Sequence, residues 1–152
     1  MEVFRLSRAK YAEPLSGKGS ALKGARWNSA GVELIYTAIN RSLAMAEVAV
    51  HLTLATVPSD YVMMTIYLPD DISTKKLNQK DLPTNWNNFP HPVSTQAIGD
   101  RFVADNTHCV LQIPSVVTMG DFNLLLNPRH AEFPQIKIID IKPFPFNERI
   151  FE

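Results

Sequence analysis

Between residues 40 and 54, apolar side chains fall on almost every side of a helix, and one carboxylate sits among them. Leu43, Ala46, Val50 and Leu54 recur at helical spacing, and Met45, Val48, Ala49 and Leu52 fill most of the remaining circumference. A helix apolar nearly all round is expected to be buried, so the rest of the chain has to supply layers that cover it. Asn40 is placed to cap its start, and Pro58 lies beyond its end. Glu47 falls on the wheel between Leu43, Val50 and Leu54. A lone carboxylate there needs a cation, several donors or a proton. Three readings meet that need: a structural ion pair, a helix face that lies at the surface after all, or a carboxylate that faces a cleft. His51, one turn later on the same face, either orients Glu47 or is a satisfied core or rim residue.

The covering layers read as short strands. Residues 3–8 alternate, with Val3, Arg5 and Ser7 opposite Phe4 and Leu6. Residues 32–38 place Val32, Leu34 and Tyr36 on one face. Residues 61–68, 108–113 and 135–142 supply three more, each stopped or interrupted by proline. Residues 9–25, with Pro14, Gly17, Gly19 and Gly24, read as a long surface loop. Residues 70–89 read as a polar loop with Asn-rich turn chemistry around Trp86. Ser94 is placed to cap a second helix over residues 95–104, with Ile98 and Phe102 four apart. Asn127-Pro128 opens a turn or short helix, and Phe144-Pro145-Phe146 is expected to pack the tail back on the body. The predicted class is α+β: five or six strands in small mixed or antiparallel sheets, with two or three helices, around a buried central helix.

The totals exclude several functions. A length of 152 residues favours one domain over residues 1–152 with a genuine core. Lys plus Arg and Asp plus Glu both number 15, which argues against a nucleic-acid binder held by a basic surface and leaves association with a partner or with itself open. Cys109 is the only cysteine, so no intrachain disulfide framework exists and a reducing compartment fits. The start shows no signal peptide and no apolar run reaches membrane-spanning length, so a cytoplasmic protein is expected.

Several polar residues carry both a structural and a functional reading. Arg26 follows Gly24 and Ala25, which let a ligand or backbone come close. Its guanidinium suits a diphosphate or carboxylate, or else stacks on Trp27 or pairs with Glu47. Tyr36 is either a core tyrosine bonded at its hydroxyl or a ring that stacks on an aromatic base. Ser115 follows Pro114 with no Gly-x-Ser-x-Gly elbow, so it is a turn serine or a hydrogen-bond donor to ribose or phosphate rather than a hydrolase nucleophile. Asn127-Pro128-Arg129-His130 follows the apolar run Leu124 to Leu126 and reads as a capped turn. Gly17-x-Gly19 leads into no helix, so it is no dinucleotide fingerprint, and the Gly19-to-Gly24 spacing is followed by Ala25-Arg26 rather than by the Lys-Ser/Thr of a phosphate-binding loop. His51, His91, His108 and His130 lack metal-ligand spacing.

Taken together, these residues resemble the RES domain family, named for its Arg, Glu and Ser. The matching text runs from Phe4-Arg5-Leu6 through Gly24-Ala25-Arg26-Trp27-Asn28-Ser29-Ala30-Gly31 and Ile35-Tyr36-Thr37-Ala38. It continues in Ser42-Leu43-Ala44-Met45-Ala46-Glu47-Val48, His51-Leu52, Ile98-Gly99-Asp100, Ile113-Pro114-Ser115 and Asn123-Leu124-Leu125-Leu126-Asn127-Pro128, and ends in Pro143-Phe144-Pro145-Phe146 before Arg149. The resemblance implies a fold related to ADP-ribosyltransferase toxins. It also implies a toxin of a bacterial toxin–antitoxin pair that degrades NAD⁺ as its substrate, with no separate cofactor and an Xre-type helix-turn-helix antitoxin as partner. Arg26, Tyr36, Glu47 and Ser115 fall on the family's catalytic positions. Trp27, Asn28, Asn127 and His130 are implied as further substrate-binding residues. Two other readings remain: a mono-ADP-ribosyltransferase acting on a protein, and a binding module that works only through its partner.

Overall fold

The computed structural model describes residues 1–152. Its frame is one seven-stranded sheet. In chain order the strands are β1 (Glu2–Arg8), β2 (Ile35–Ala38), β3 (Tyr61–Tyr67), β4 (Thr74–Lys76), β5 (Val110–Pro114), β6 (Phe122–Leu126) and β7 (Lys137–Pro143). They lie side by side as β4-β5-β6-β2-β1-β3-β7. All pairs are antiparallel except β4 with β5. Three α-helices accompany them: α1 (Lys18–Lys23), α2 (Arg41–Ala49) and α3 (Val93–Asp105). The α+β expectation holds, with one continuous sheet in place of several small ones.

The sheet is apolar on both faces, because alternate residues of its central strands enter different cores. Leu124 and Leu126 of β6 join Val3, Ile35, Met64 and Ile66 in one cluster. Leu125 joins Trp27, Leu34, Trp86, Phe102 and Ile113 in a second cluster, on the opposite side of β6. A third groups Phe4 and Leu6 of β1 with Ala38, Leu43, Ala44 and Met63. Strand β6 was expected only as an apolar run. A strand with both faces covered shows no alternation, and Leu124 to Leu126 carry no β-branched signal.

The expected buried central helix is corrected. Helix α2 begins as predicted, with the Asn40 side chain accepting from the Leu43 N–H at 2.7 Å. It ends at Ala49 rather than near Leu54, and beyond it Thr53 and Thr56 close a hydrogen-bonded turn. Only Leu43 and Ala44 are buried, while Val50 is 60% and Leu54 49% exposed. The helix lies against β1 and β2 with one narrow face, and the rest looks outward or into a cavity.

Two segments read as loops contain regular structure. Residues 9–25 hold a 3-10 turn and α1, whose Ser20 hydroxyl donates to Leu34 O at 2.6 Å. Residues 70–89 hold β4 and a second 3-10 turn. Helix α3 has Pro92 at its cap position, and Ser94 donates instead to Asn85 Oδ1 at 3.2 Å. The tail does pack back, with Phe146 edge-on to Tyr61 at a ring-centroid distance of 5.4 Å. No helix is long and apolar enough to cross a membrane.

Candidate active site

The second and third cores do not meet, and a cavity of about 870 Å³ opens between them. Its floor is Tyr36, Thr37 and Ala38 of β2, Phe4, Arg5 and Leu6 of β1, and Asn123 of β6; α2 contributes Ala44, Glu47 and Val48. The 24–27 loop forms another wall, and Asn87, Phe89 and His91 stand at its side. The size lies in the upper range for small-molecule sites.

Glu47 projects into this space one helical turn beyond Leu43 and Ala44. The Ser115 hydroxyl donates to Glu47 Oε1 at 3.2 Å. Ser115 Oγ itself accepts from Val117 N–H and Thr118 N–H, both at 3.0 Å, so the turn after β5 fixes the hydroxyl in place. The Asn123 amide, bonded to Thr37 O at 3.1 Å, also favours the carboxylate form. Burial nevertheless dominates and holds the Glu47 carboxyl above its ordinary range. The hydrogen bonds from Ser115 and Asn123, and the charges of His51 and Arg26, oppose that shift. Glu47 takes part in no ion pair, so the structural-pair reading fails on geometry.

Arg26 is held from two sides. Its Nη1 donates to Trp86 O at 2.9 Å and Asn88 O at 2.8 Å. Its backbone is gripped by α3: Thr95 Oγ1 donates to Arg26 O at 2.7 Å, and Gln96 Nε2 donates to Ala25 O and Asn28 O at 3.1 and 3.2 Å. Asp100 accepts from Ser29 N and Oγ at 2.8 and 2.5 Å. Gly99 lets α3 come this close, because a Cβ there would lie 1.5 Å from Trp27 O. Gly24, at φ +76, turns the chain out of α1 into the loop. Burial lowers the Arg26 guanidinium from its ordinary value, while Glu47 and Tyr36 pull the other way.

Tyr36 accepts from Trp27 N–H at 3.0 Å and donates to Asn28 Oδ1 at 2.6 Å. Burial raises its hydroxyl well above the usual phenol range, so it stays neutral. Asn28 is fully buried. Its amide donates to Ser20 O, Ser29 O and Val32 O, which makes it a brace for the loop and for Tyr36 rather than a substrate contact. Trp27 is 3% exposed and touches the cavity only as wall. Ser115 stands behind Glu47, outside the lining, and its proton goes to that carboxylate.

Asn127 and His130 are not brought to the cavity. They follow the far end of β6, where Leu126 pairs with Ile35 and Val110, whereas Asn123 at the near end pairs with Ala38 and Ile113. Asn127 is fully buried, donates to Asn106 Oδ1 at 2.9 Å and accepts from Arg129 N–H at 3.0 Å. His130 Nδ1 accepts from Glu132 N–H at 3.1 Å.

Sequence reasoning missed Arg5 as a site residue. It lines the cavity, donates to Tyr36 O at 2.9 Å, forms no ion pair, and is lowered from its ordinary value by burial. An arginine on the apolar-alternating β1 was the available signal. Asn123, Phe89 and His91 were also missed. No cluster of three or more His, Cys, Asp or Glu is placed to hold a metal ion. A half-buried carboxylate and two guanidiniums without ion pairs, between apolar walls, can bind an anionic ligand and stabilise a cationic centre within it.

The family model described as "RES domain" matches residues 2–147. The chain is 34% identical to "Toxin Res" of Yersinia enterocolitica over 147 residues, covering 96% of this chain and 95% of that one. It is 33% identical to "Toxin Res" of Pseudomonas putida, covering 99% and 100%, and 30% identical to "Prs ADP-ribosylating toxin" of Sphingobium sp., covering 95% and 91%. A chain in the crystal structure of the M. tuberculosis MbcT–MbcA toxin–antitoxin complex has the same fold, with a TM-score of 0.76, 18% identity, and 99% and 86% coverage.

Proposed function

The chain belongs to the RES domain family, and from that premise we propose that it is the toxin of a toxin–antitoxin pair and degrades NAD⁺ by cleaving the nicotinamide–ribose bond. The observation that carries the reading is Glu47, a carboxylate without an ion-pair partner, held by Ser115 in the wall of a cavity that also contains Arg26 and Arg5.

The C1′–N bond breaks with its electron pair going to the pyridinium nitrogen, so nicotinamide leaves neutral and needs no general acid. The ribose passes through an oxocarbenium-like state, as in glycoside cleavage. Glu47 stabilises that cation or holds the ribose hydroxyls. Arg26 neutralises the diphosphate through Nε and Nη2, while Nη1 keeps its bonds to Trp86 O and Asn88 O. Tyr36, neutral and braced by Asn28, orients the ring system. Ser115 acts through Glu47 as a positioning residue. Water adds to C1′ and releases a proton, or inorganic phosphate adds in its place. The expected partner is an Xre-type helix-turn-helix antitoxin that covers the cavity mouth.

The test is nicotinamide release from NAD⁺ by the pure protein, with and without phosphate. Release that depends on Glu47 supports the reading; none in either buffer removes it. ADP-ribosyl transfer to a protein is the second reading, favoured by the Sphingobium relative, an ADP-ribosylating toxin by name. Labelled NAD⁺ in cell lysate separates the two: a labelled protein band selects transfer, free product alone selects degradation.

A further inference from the structure

Phe89 is 84% exposed, yet it lines the cavity. A phenyl ring this exposed adds little to the core, so its face is free for a ligand in the cavity that it lines. The backbone around it is fixed by the site itself. Arg26 Nη1 bonds both Trp86 O and Asn88 O, the latter the carbonyl immediately before Phe89. Trp86 is buried in the second core and anchors the segment from below. His91, two residues on, also lines the cavity and approaches Gln96 at 3.4 Å, so the segment is tied to α3 as well.

We propose that Phe89 is the stacking platform for the adenine of the dinucleotide, so that Glu47, Arg26 and Phe89 read the substrate in order as ribose, diphosphate and base. This rests on the NAD⁺ reading above. Arg26 is the common neighbour of the other two: its charge acts on Glu47, and its guanidinium holds the residue before Phe89. A group bound to Arg26 therefore has both the Glu47 carboxylate and the segment that carries Phe89 as neighbours in the same cavity. Every base offers a π-face to such a ring, which confers affinity without demanding a hydrogen-bond code.

The test compares NAD⁺ with nicotinamide mononucleotide, which keeps the scissile bond and lacks the adenylate. Phe89→Ala is the variant; the exposed ring can be removed without opening the core. The loss of kcat/KM on NAD⁺ is expected to exceed the loss on the mononucleotide by about tenfold, the scale of one base stack, and Phe89→Trp is expected to restore it. Equal losses on both substrates, or no loss on NAD⁺, overturn the proposal while leaving NAD⁺ cleavage intact; the second result would point to Phe89 as a protein contact. If the parent protein turns over neither substrate, the functional reading fails, and AMP binding by calorimetry then decides the platform alone. AMP binding that Phe89→Ala weakens supports it. Equal binding by both proteins, or none by the parent, overturns it.

Discussion

The two ends of strand β6 carry similar residues and differ in what is left for them to do. At one end, Asn123 and Ser115 surround Glu47; at the other, Asn127, Asn106, His130 and Glu132 make a network of their own. Sequence alone marks both ends as polar interruptions of an apolar strand. At the far end the protein's own groups meet the demand: the Asn127 amide and carbonyl are both engaged, and Glu132 accepts from Ser73 N and Oγ. At the near end the Glu47 carboxylate accepts from the Ser115 hydroxyl and is favoured by the Asn123 amide, but no cation pairs with it and a cavity stands in front of it. Buried polarity by itself does not indicate a site; buried polarity with unused capacity facing an opening does.

The largest expected break of this contrast is Glu47→Gln, which keeps the shape and removes the charge. Nicotinamide release should fall by about 10³-fold, the scale of losing a major electrostatic stabiliser. The same change should raise Tm at neutral pH. Burial lifts the folded Glu47 pKa above its unfolded value, so protonation favours the folded state. Stability is therefore lost as pH rises from the unfolded to the folded pKa, and the glutamine variant should not show that loss. A melting series from pH 4 to 8 checks this.

Arg26→Ala should come next, cutting kcat/KM about 10²-fold, with part of the loss from freeing the residue 86–88 carbonyls. Steady-state kinetics with NAD⁺ reads it. Ser115→Ala should lower kcat by about tenfold with little change in KM, since it acts only by positioning Glu47. The Ser115 hydrogen bond lowers the Glu47 pKa, so its loss should move the acid limb of the pH–rate profile to higher pH. At the far end Asn127→Ala should cost about 2 kcal/mol of stability, as expected for a buried amide network. The kinetics of the folded fraction should stay at the parent values, measured by urea unfolding beside the NAD⁺ assay.

The elements at the near end were largely legible. Alternation gave β1 and β2, the Asn40 cap gave the start of α2, and Glu47 stood out because its neighbours on the wheel are apolar. The depth of α2 was not legible. A helical wheel counts apolar residues without knowing which face meets a protein surface and which faces a cavity, and Val48 and Val50 line the opening. Strand β6 was hidden for the opposite reason, since coverage of both faces erases its period. Asn127 and His130 were drawn toward the site by their place in a motif, but register sends Leu126 away from Asn123 along the strand, to its opposite end. The grip of α3 on the Arg26 loop needs long-range pairs, such as Thr95 with Arg26 O, that no local pattern announces.

The most direct test is the position of the dinucleotide in crystals of the Glu47→Gln protein grown with NAD⁺. The nicotinamide ribose is predicted beside residue 47, with the diphosphate on Nε and Nη2 of Arg26 and Nη1 still on Trp86 O and Asn88 O. A dinucleotide bound elsewhere, or held by Asn127 and His130 with the cavity empty, would contradict the account.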